Sequence, residues 1–288
     1  MKIKQIAKIR GGQDGAIYGG YIFRFDSKGN CSVYDFSSPD FSGEHVAELK
    51  PIAEFTLDRV SDITPHSNSV VFGSERYEAG DEFPLLYTNV YNTYSGAVDK
   101  MCGVCCVYRI TRDDSSFSSK LVGLITVDFT DDRELWRSPA EVADIRPYGN
   151  FVIDTENRKY WAYVMRDGVR ETRYFRFALP SLADAEIDPR FGVPNAHLKD
   201  ADIEKYFDAP YHNYVQGGVF HNGKVYEVEG FGKDVRAALR VINTEEEREE
   251  LYFDFYDVGY GDEPEFIDFF GDRCVYIDAH GNVFYLEF

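Results

Sequence analysis

Apolar and polar residues alternate with a period of two along most of the chain, in short runs punctuated by glycine, asparagine and aspartate. Such a pattern predicts half-buried strands joined by tight turns, not amphipathic helices. The opening residues, Met1-Lys-Ile-Lys-Gln-Ile-Ala-Lys-Ile9, show it at once. Further strands are predicted over 51–57, 103–111, 121–129, 173–179, 238–243 and 251–256. Helix is expected only at Ser138-Pro-Ala-Glu141, a capping box with proline at the first helical position, and over 200–207. The acidic run 245–250 reads as a solvated loop between two strands.

The pattern also repeats. Tyr18-Gly-Gly-Tyr-Ile-Phe23 leads through a Lys28-Gly-Asn turn to Cys31-Ser-Val-Tyr-Asp-Phe36. Gln216-Gly-Gly-Val-Phe220 leads through His221-Asn-Gly to Lys224-Val-Tyr-Glu-Val228, and Phe266-Ile-Asp-Phe-Phe270 leads through Gly271-Asp-Arg to Cys274-Val-Tyr-Ile277. More divergent copies run from 68–72 to 83–87 and from 150–154 to 160–164. With Tyr34, Tyr87, Tyr163, Tyr226 and Tyr276 as markers, the units lie 50 to 76 residues apart, as four-stranded blades with variable loops require. The expectation is an all-β fold, a five-bladed β-propeller formed by residues 1–288 as a single domain. The last unit has room for three strands and the first run, 2–9, is left over. The N-terminal strand should therefore complete the last blade and leave no open edge. Gly19-Gly20 and Gly217-Gly218 should both mark close packing near the axis.

Composition agrees with strands: aromatics make up 16% of the 288 residues, with 23 Phe and 21 Tyr. Charge bears on partners. The 31 Lys and Arg against 50 Asp and Glu leave −19, which repels phosphate backbones and anionic lipid, so neither nucleic acid nor membrane is an expected partner. The N-terminus lacks the apolar run of a secretory signal, and no segment nears the roughly 18 apolar residues of a membrane span. A cytoplasmic location is expected, with the five cysteines reduced. Cys102-Gly-Val-Cys105-Cys106 offers half of a zinc site and no second half. Alternation sends Cys105 and Cys106 to opposite faces, as packed strand residues. The phosphate loop G-x-x-x-x-G-K-S/T, the nucleophile elbow G-x-S-x-G and a strand-to-helix G-x-G-x-x-G are all absent, which removes support for nucleotide hydrolysis and serine-esterase chemistry.

Propeller ligands sit at the channel mouth, where the innermost strands begin. The residues just ahead of those strands are Gln13-Asp14, His66-Ser67-Asn68, Tyr148 with Asn150, Tyr211-His212-Asn213, and Glu263 with Glu265. Asp14 and Glu265 are the candidate catalytic carboxyls, since glycoside cleavage needs two across the scissile bond. His66, Asn68, Tyr148, His212, Asn213 and Glu263 are the candidate ligand contacts, with Tyr148 and Tyr211 able to stack on a sugar face. Glu75 and Asp81 are further acids to inspect. The competing reading is that such residues cap strands and turns. A cation in the channel is compatible with this acidic set, but no ligand spacing places one, and no metal site or cofactor is assigned. The functional expectation is a propeller that binds or processes a carbohydrate or another polar small molecule. The alternative is a non-catalytic module that holds a protein partner on the same face. A deep pocket with two carboxyls of perturbed protonation would favour the first, a plugged channel and a large apolar patch the second.

The stretch His66-Ser-Asn-Ser-Val-Val-Phe-Gly-Ser-Glu75, followed by Asp81-Glu-Phe-Pro-Leu-Leu-Tyr87, resembles a segment of uncharacterised five-bladed propeller proteins of gut bacteria. That resemblance implies a fold and no activity. More broadly the chain is similar to five-bladed glycoside hydrolases, in which the position of Asp14 near the start of the first blade is that of a catalytic base. Glu75, Glu263 and Glu265 do not align with that family's other acids.

Overall fold

The computed structural model describes residues 1–39, 41, 43, 45–63, 65–90, 101, 103–127, 150–166, 169–232 and 234–288. Five sheets are arranged as a β-propeller. From the axis outward, blade 1 holds Gly15–Tyr18, Tyr21–Phe25, Asn30–Asp35 and Ala53–Thr56. Blade 2 holds Val70–Phe72, Leu86–Val90, Val104–Asp113 and Ser116–Val127, and then Pro194–Leu198 and Glu186–Ile187. Blade 3 is Phe151–Asp154, Lys159–Arg166, Glu171–Ala178 and Lys205–Pro210, and blade 4 is Val215–His221, Lys224–Phe231, Val235–Asn243 and Arg248–Asp254. Blade 5 combines Pro264–Phe270, Arg273–Asp278 and Asn282–Glu287 with Lys2–Lys8 from the other end of the chain.

That last pairing is the expected closure. Lys2–Lys8 runs antiparallel to Asn282–Glu287, from Lys2 opposite Glu287 to Lys8 opposite Asn282. Its outer edge is covered at Ala7 and Lys8 by a parallel pair, Ala47–Glu48.

Alternation along the strands sends successive side chains into different blade interfaces. Five buried apolar clusters result, one for each pair of neighbouring blades. Phe23, Phe25, Phe72 and Phe83 lie between blades 1 and 2, and Val107, Tyr160 and Phe177 between blades 2 and 3. Trp161, Tyr174 and Ile242 join blades 3 and 4, Leu239 and Tyr276 join blades 4 and 5, and Ile6, Ile22, Phe266 and Ile277 join blades 5 and 1. Cys105 and Cys106 do part to opposite faces, into two of these clusters, and both are free thiols.

Four local expectations are corrected. Gly19-Gly20 does not pack at the axis: with φ of 60° and 85° it forms the turn between Tyr18 and Tyr21, whereas Gly217-Gly218 lies within an innermost strand. Tyr34 stands on the third strand of blade 1, while Tyr87, Tyr163, Tyr226 and Tyr276 stand on second strands. Over 200–207 only Asp200–Asp202 makes a helical turn, and the rest enters the outer strand of blade 3. Of the acidic run 245–250, residues 248–250 are strand. Residues 138–141 lie outside the described residues.

Matching turns give the correct register for blade 1. In Asp26-Ser-Lys-Gly-Asn30, Asp26 Oδ1 accepts from the Asn30 main-chain N–H (2.9 Å) and its Oδ2 from Asn30 Nδ2 (2.8 Å). Asp278-Ala-His-Gly-Asn282 in blade 5 repeats both bonds at 2.9 and 2.6 Å. Two residues before the aspartate, blade 5 has the buried Tyr276, and blade 1 has Arg24.

Candidate functional site

The segment ahead of each innermost strand must cross from one blade to the next, and its polar groups supply the hydrogen bonds that hold the crossing. Asp14 is fully buried; its Oδ2 accepts from the Val70 N–H (2.9 Å) and its own N–H donates to the Ser67 carbonyl (3.2 Å), which ties blade 1 to blade 2. Its Oδ1 has no partner among the described residues. Burial lifts the Asp14 carboxyl well above its usual range, against the opposing pull of the Gly15 and Val70 N–H groups and of Arg24.

Glu265 arrives from blade 5 and is 3% exposed. Gln13 Nε2 donates to its Oε1 (3.1 Å), and Oε2 is unpartnered among the described residues. Burial pushes it up to about 8, with Arg24 opposing. Asp14 and Glu265 flank the same glycine: a methyl group on Gly217 would sit 3.1 Å from Asp14 Oδ1 and 3.0 Å from the Glu265 carbonyl oxygen. A side chain there would crowd both, and glycine suits the close approach of blade 4. Glu263, half-buried and raised by burial, accepts from Gln216 Nε2 (2.8 Å).

The remaining candidates divide. His66 is half-buried ahead of blade 2, and burial lowers its pKa. Asn68 is joined to Asn89 by a side-chain hydrogen bond, and Asn89 Oδ1 also accepts from the Asn68 and Ser69 N–H groups, so this pair holds the turn. Asn213 donates its main-chain N–H to Glu229 (2.8 Å). Tyr148 lies outside the described residues. Tyr211 is stacked against the Arg170 guanidinium, 3.8 Å from its ring centre. Glu75 and Asp81 follow the far end of the blade 2 innermost strand, where Glu75 pairs with Arg158 and Asp81 with Arg109 (2.6 Å), away from the mouth. His212 is wholly buried, with Nδ1 2.5 Å from Glu227 Oε2 and 3.2 Å from the Tyr174 hydroxyl, which itself donates to Glu227 (2.9 Å).

Arg24, Glu227, Tyr174 and Gln216 belong to this network without having been singled out in the sequence. Their signal is a polar residue inside an apolar strand, as in Phe23-Arg24-Phe25 and Val225-Tyr-Glu-Val228. Next to Gln216 and Glu263 an aromatic pair stands at the rim. Tyr214 and Phe231 stack with ring centres 5.1 Å apart, and are 54% and 51% exposed.

The opposite end of the channel is poorer in ionisable groups. A cavity of about 190 Å³ there is lined by Ile17, Phe72, Ile153, Val219 and Phe220, with one carboxyl, Asp268, which accepts from the Ile17 N–H (2.6 Å) and is pushed up to about 7 by burial. Among the described residues no group of three or more His, Cys, Asp or Glu could hold a metal ion, and no helix is long and apolar enough to cross a membrane.

No protein-family model matches the chain, and no curated protein matches it. Among solved structures, a protein of Thermus thermophilus, provisionally named an oxidoreductase (glucose dehydrogenase), aligns over 99% of this chain and 99% of its own, at a TM-score of 0.49 and 10% identity. The computationally designed protein Ika8 aligns over 99% and 100%, at a TM-score of 0.37 and 8% identity. At those values neither neighbour informs the site. The gut-bacterial propellers and glycoside hydrolases suggested by the sequence gain no support from these comparisons. The class of this chain therefore rests on its own geometry: a five-bladed β-propeller with buried ionisable residues gathered ahead of its innermost strands.

Proposed function

We propose that this propeller binds a carbohydrate, or a closely related polyhydroxylated molecule, at the polar mouth, with Asp14 and Glu265 as the carboxyls that meet it. One observation carries the reading. Asp14 Oδ1, Glu265 Oε2 and Ser67 Oγ are buried and lack partners among the described residues, although they come from three different crossings. Unsatisfied buried groups of this kind cost about 1–3 kcal/mol each, and a ligand rich in hydroxyls can donate to and accept from all of them. Tyr214 and Phe231 at the rim add a flat apolar surface suited to a sugar face.

The same geometry supports acid-base work. Glu265, pushed up to about 8, keeps its proton at neutral pH and can donate it. Burial raises both carboxyls and Arg24 opposes the rise at each, so the cluster holds protons that a bound ligand can share.

A glycan-binding array and a glycoside-hydrolysis screen of wild type, Asp14→Asn and Glu265→Gln test the proposal. A neutral glycan should be bound or cleaved by the wild type, with at least a tenfold loss in either variant. Signal that survives both substitutions, or none with any glycan, would overturn it; the second result would favour an interaction module.

A further inference from the structure

A second cavity, of about 350 Å³, opens beside blade 1 beneath the segment that carries Arg10 and Gly11. Arg24, Ser32, Glu54 and Thr56 line it from successive strands of the blade. Arg24 is 2% exposed. Its Nη2 donates to the main-chain carbonyls of Gly12 (2.8 Å) and Asp278 (3.3 Å). Its Nε and Nη1 have no partner among the described residues, so neither carbonyl contact supplies a counter-charge and two nitrogens of a buried cation stay unengaged.

The acids of the cavity are committed elsewhere. Glu54 takes the Arg10 guanidinium at 2.6 Å and the Ser32 hydroxyl at 3.2 Å. Asp26 is spent on its own turn, accepting from the Lys28 and Asn30 N–H groups and from Asn30 Nδ2. Arg10 is neutralised by Glu54, whereas Arg24 makes no direct ion pair among the described residues, although Glu265, Asp14 and Asp278 act on it electrostatically. A buried guanidinium with two unengaged nitrogens can take an anion through charge-assisted hydrogen bonds.

We infer that this cavity is a binding site for a small organic monocarboxylate carrying hydroxyls, a sugar acid or hydroxy acid, whose carboxylate meets Arg24. Ser32 and Thr56 line the same space; their hydroxyls donate to Glu54 (3.2 Å) and to Asn30 Oδ1 (2.9 Å), and their remaining lone pairs can accept from the hydroxyls of such a molecule. A net charge of −19 and the nearby Glu54 select against polyanions, so phosphorylated or polymeric ligands fit poorly. The inference rests on Arg24 and its cavity, not on the catalytic reading of Asp14 and Glu265.

Isothermal titration with D-glucuronate, its neutral methyl ester and D-glucose tests it, using wild type, Arg24→Gln, Thr56→Trp and Asp14→Asn. Thr56 is exposed, so a tryptophan there covers the cavity without disturbing the core, and it carries the test should Arg24→Gln fail to fold. Glucuronate should bind wild type saturably and at least tenfold more tightly than the ester or glucose. Thr56→Trp and Arg24→Gln should lose that preference, while Asp14→Asn keeps it even where neutral-glycan binding at the mouth is lost. Equal affinity for glucuronate and its ester, no binding of glucuronate, or binding untouched by Thr56→Trp would overturn the inference.

Discussion

Nδ1 of His212 lies 2.5 Å from Oε2 of Glu227, and solvent reaches neither side chain. The pair sits between blades 3 and 4, with Tyr174 bonded to both. Removing one member strands the other in a place where water cannot replace it. His212→Leu should cost about 1–3 kcal/mol, because Glu227 is left with the Tyr174 hydroxyl alone, whereas His212→Leu with Glu227→Leu should cost less than the sum of the single changes. Urea unfolding of the two single variants and the double variant measures that coupling, and strictly additive losses would show that the pair is not a unit.

A different buried acid makes stability depend on pH. In the unfolded chain Glu265 titrates near 4.5, and in the folded chain near 8. Between those values the folded chain holds the extra proton, so stability declines as pH rises through the window: the favourable contribution is whole below about 4.5 and gone above about 8. Glu265→Gln should match wild type near pH 4.5 and exceed it in Tm at pH 9. A Tm difference that stays constant across that range would contradict the assignment.

Ring closure depends on one strand from the N-terminus. Ile6, 1% exposed, is buried between blades 5 and 1, on the strand paired with the C-terminal strand. Ile6→Ala should cost about 2–5 kcal/mol, and deletion of residues 1–9 more, because it also exposes the edge of Asn282–Glu287. Ile52→Ala, at a position 48% exposed, is the control that should change little. Chemical denaturation of the three variants ranks them.

The strands and the closure could be read along the chain because alternation is a local property, visible within five or six residues. Register and site could not. Gly19-Gly20 and Gly217-Gly218 are the same letters, but the first pair has positive φ in a turn and the second is extended within a strand, and only pairing partners tell them apart. That one ambiguity moved the blade 1 marker to Tyr34 and hid Arg24. Alternation alone would also place Arg24 facing solvent between Phe23 and Phe25; it is buried because the crossing from blade 5 folds over it, with Gly12 and Asp278 accepting its N–H groups. The contact between Gln13 and Glu265 spans 252 positions, a distance no spacing rule reaches. Asp14 and Glu265 could be named as candidates because the position ahead of an innermost strand is defined by the repeat itself, whatever the identity of its neighbours.

Backbone strain at the rim leads to the last prediction. Tyr214 has φ of 57°, a left-handed conformation that a bulky residue adopts at a cost of roughly 1–2 kcal/mol. It is held there by the Gly230 N–H, which donates to its carbonyl (3.1 Å), and its ring is thereby laid on Phe231 beside Gln216 and Glu263. Asparagine tolerates that conformation, so Tyr214→Asn relieves the strain while losing a stack worth about 0.5–1.5 kcal/mol. The two effects oppose, and stability should stay within about 1 kcal/mol of wild type. If the aromatic pair is the platform for a sugar face, the same substitution should weaken neutral-glycan binding roughly three- to tenfold, and Phe231→Ala should do likewise. Thermal unfolding and glycan titration on the same preparations separate the outcomes: unchanged affinity in both variants would mean that the rim aromatics serve the fold and not a ligand.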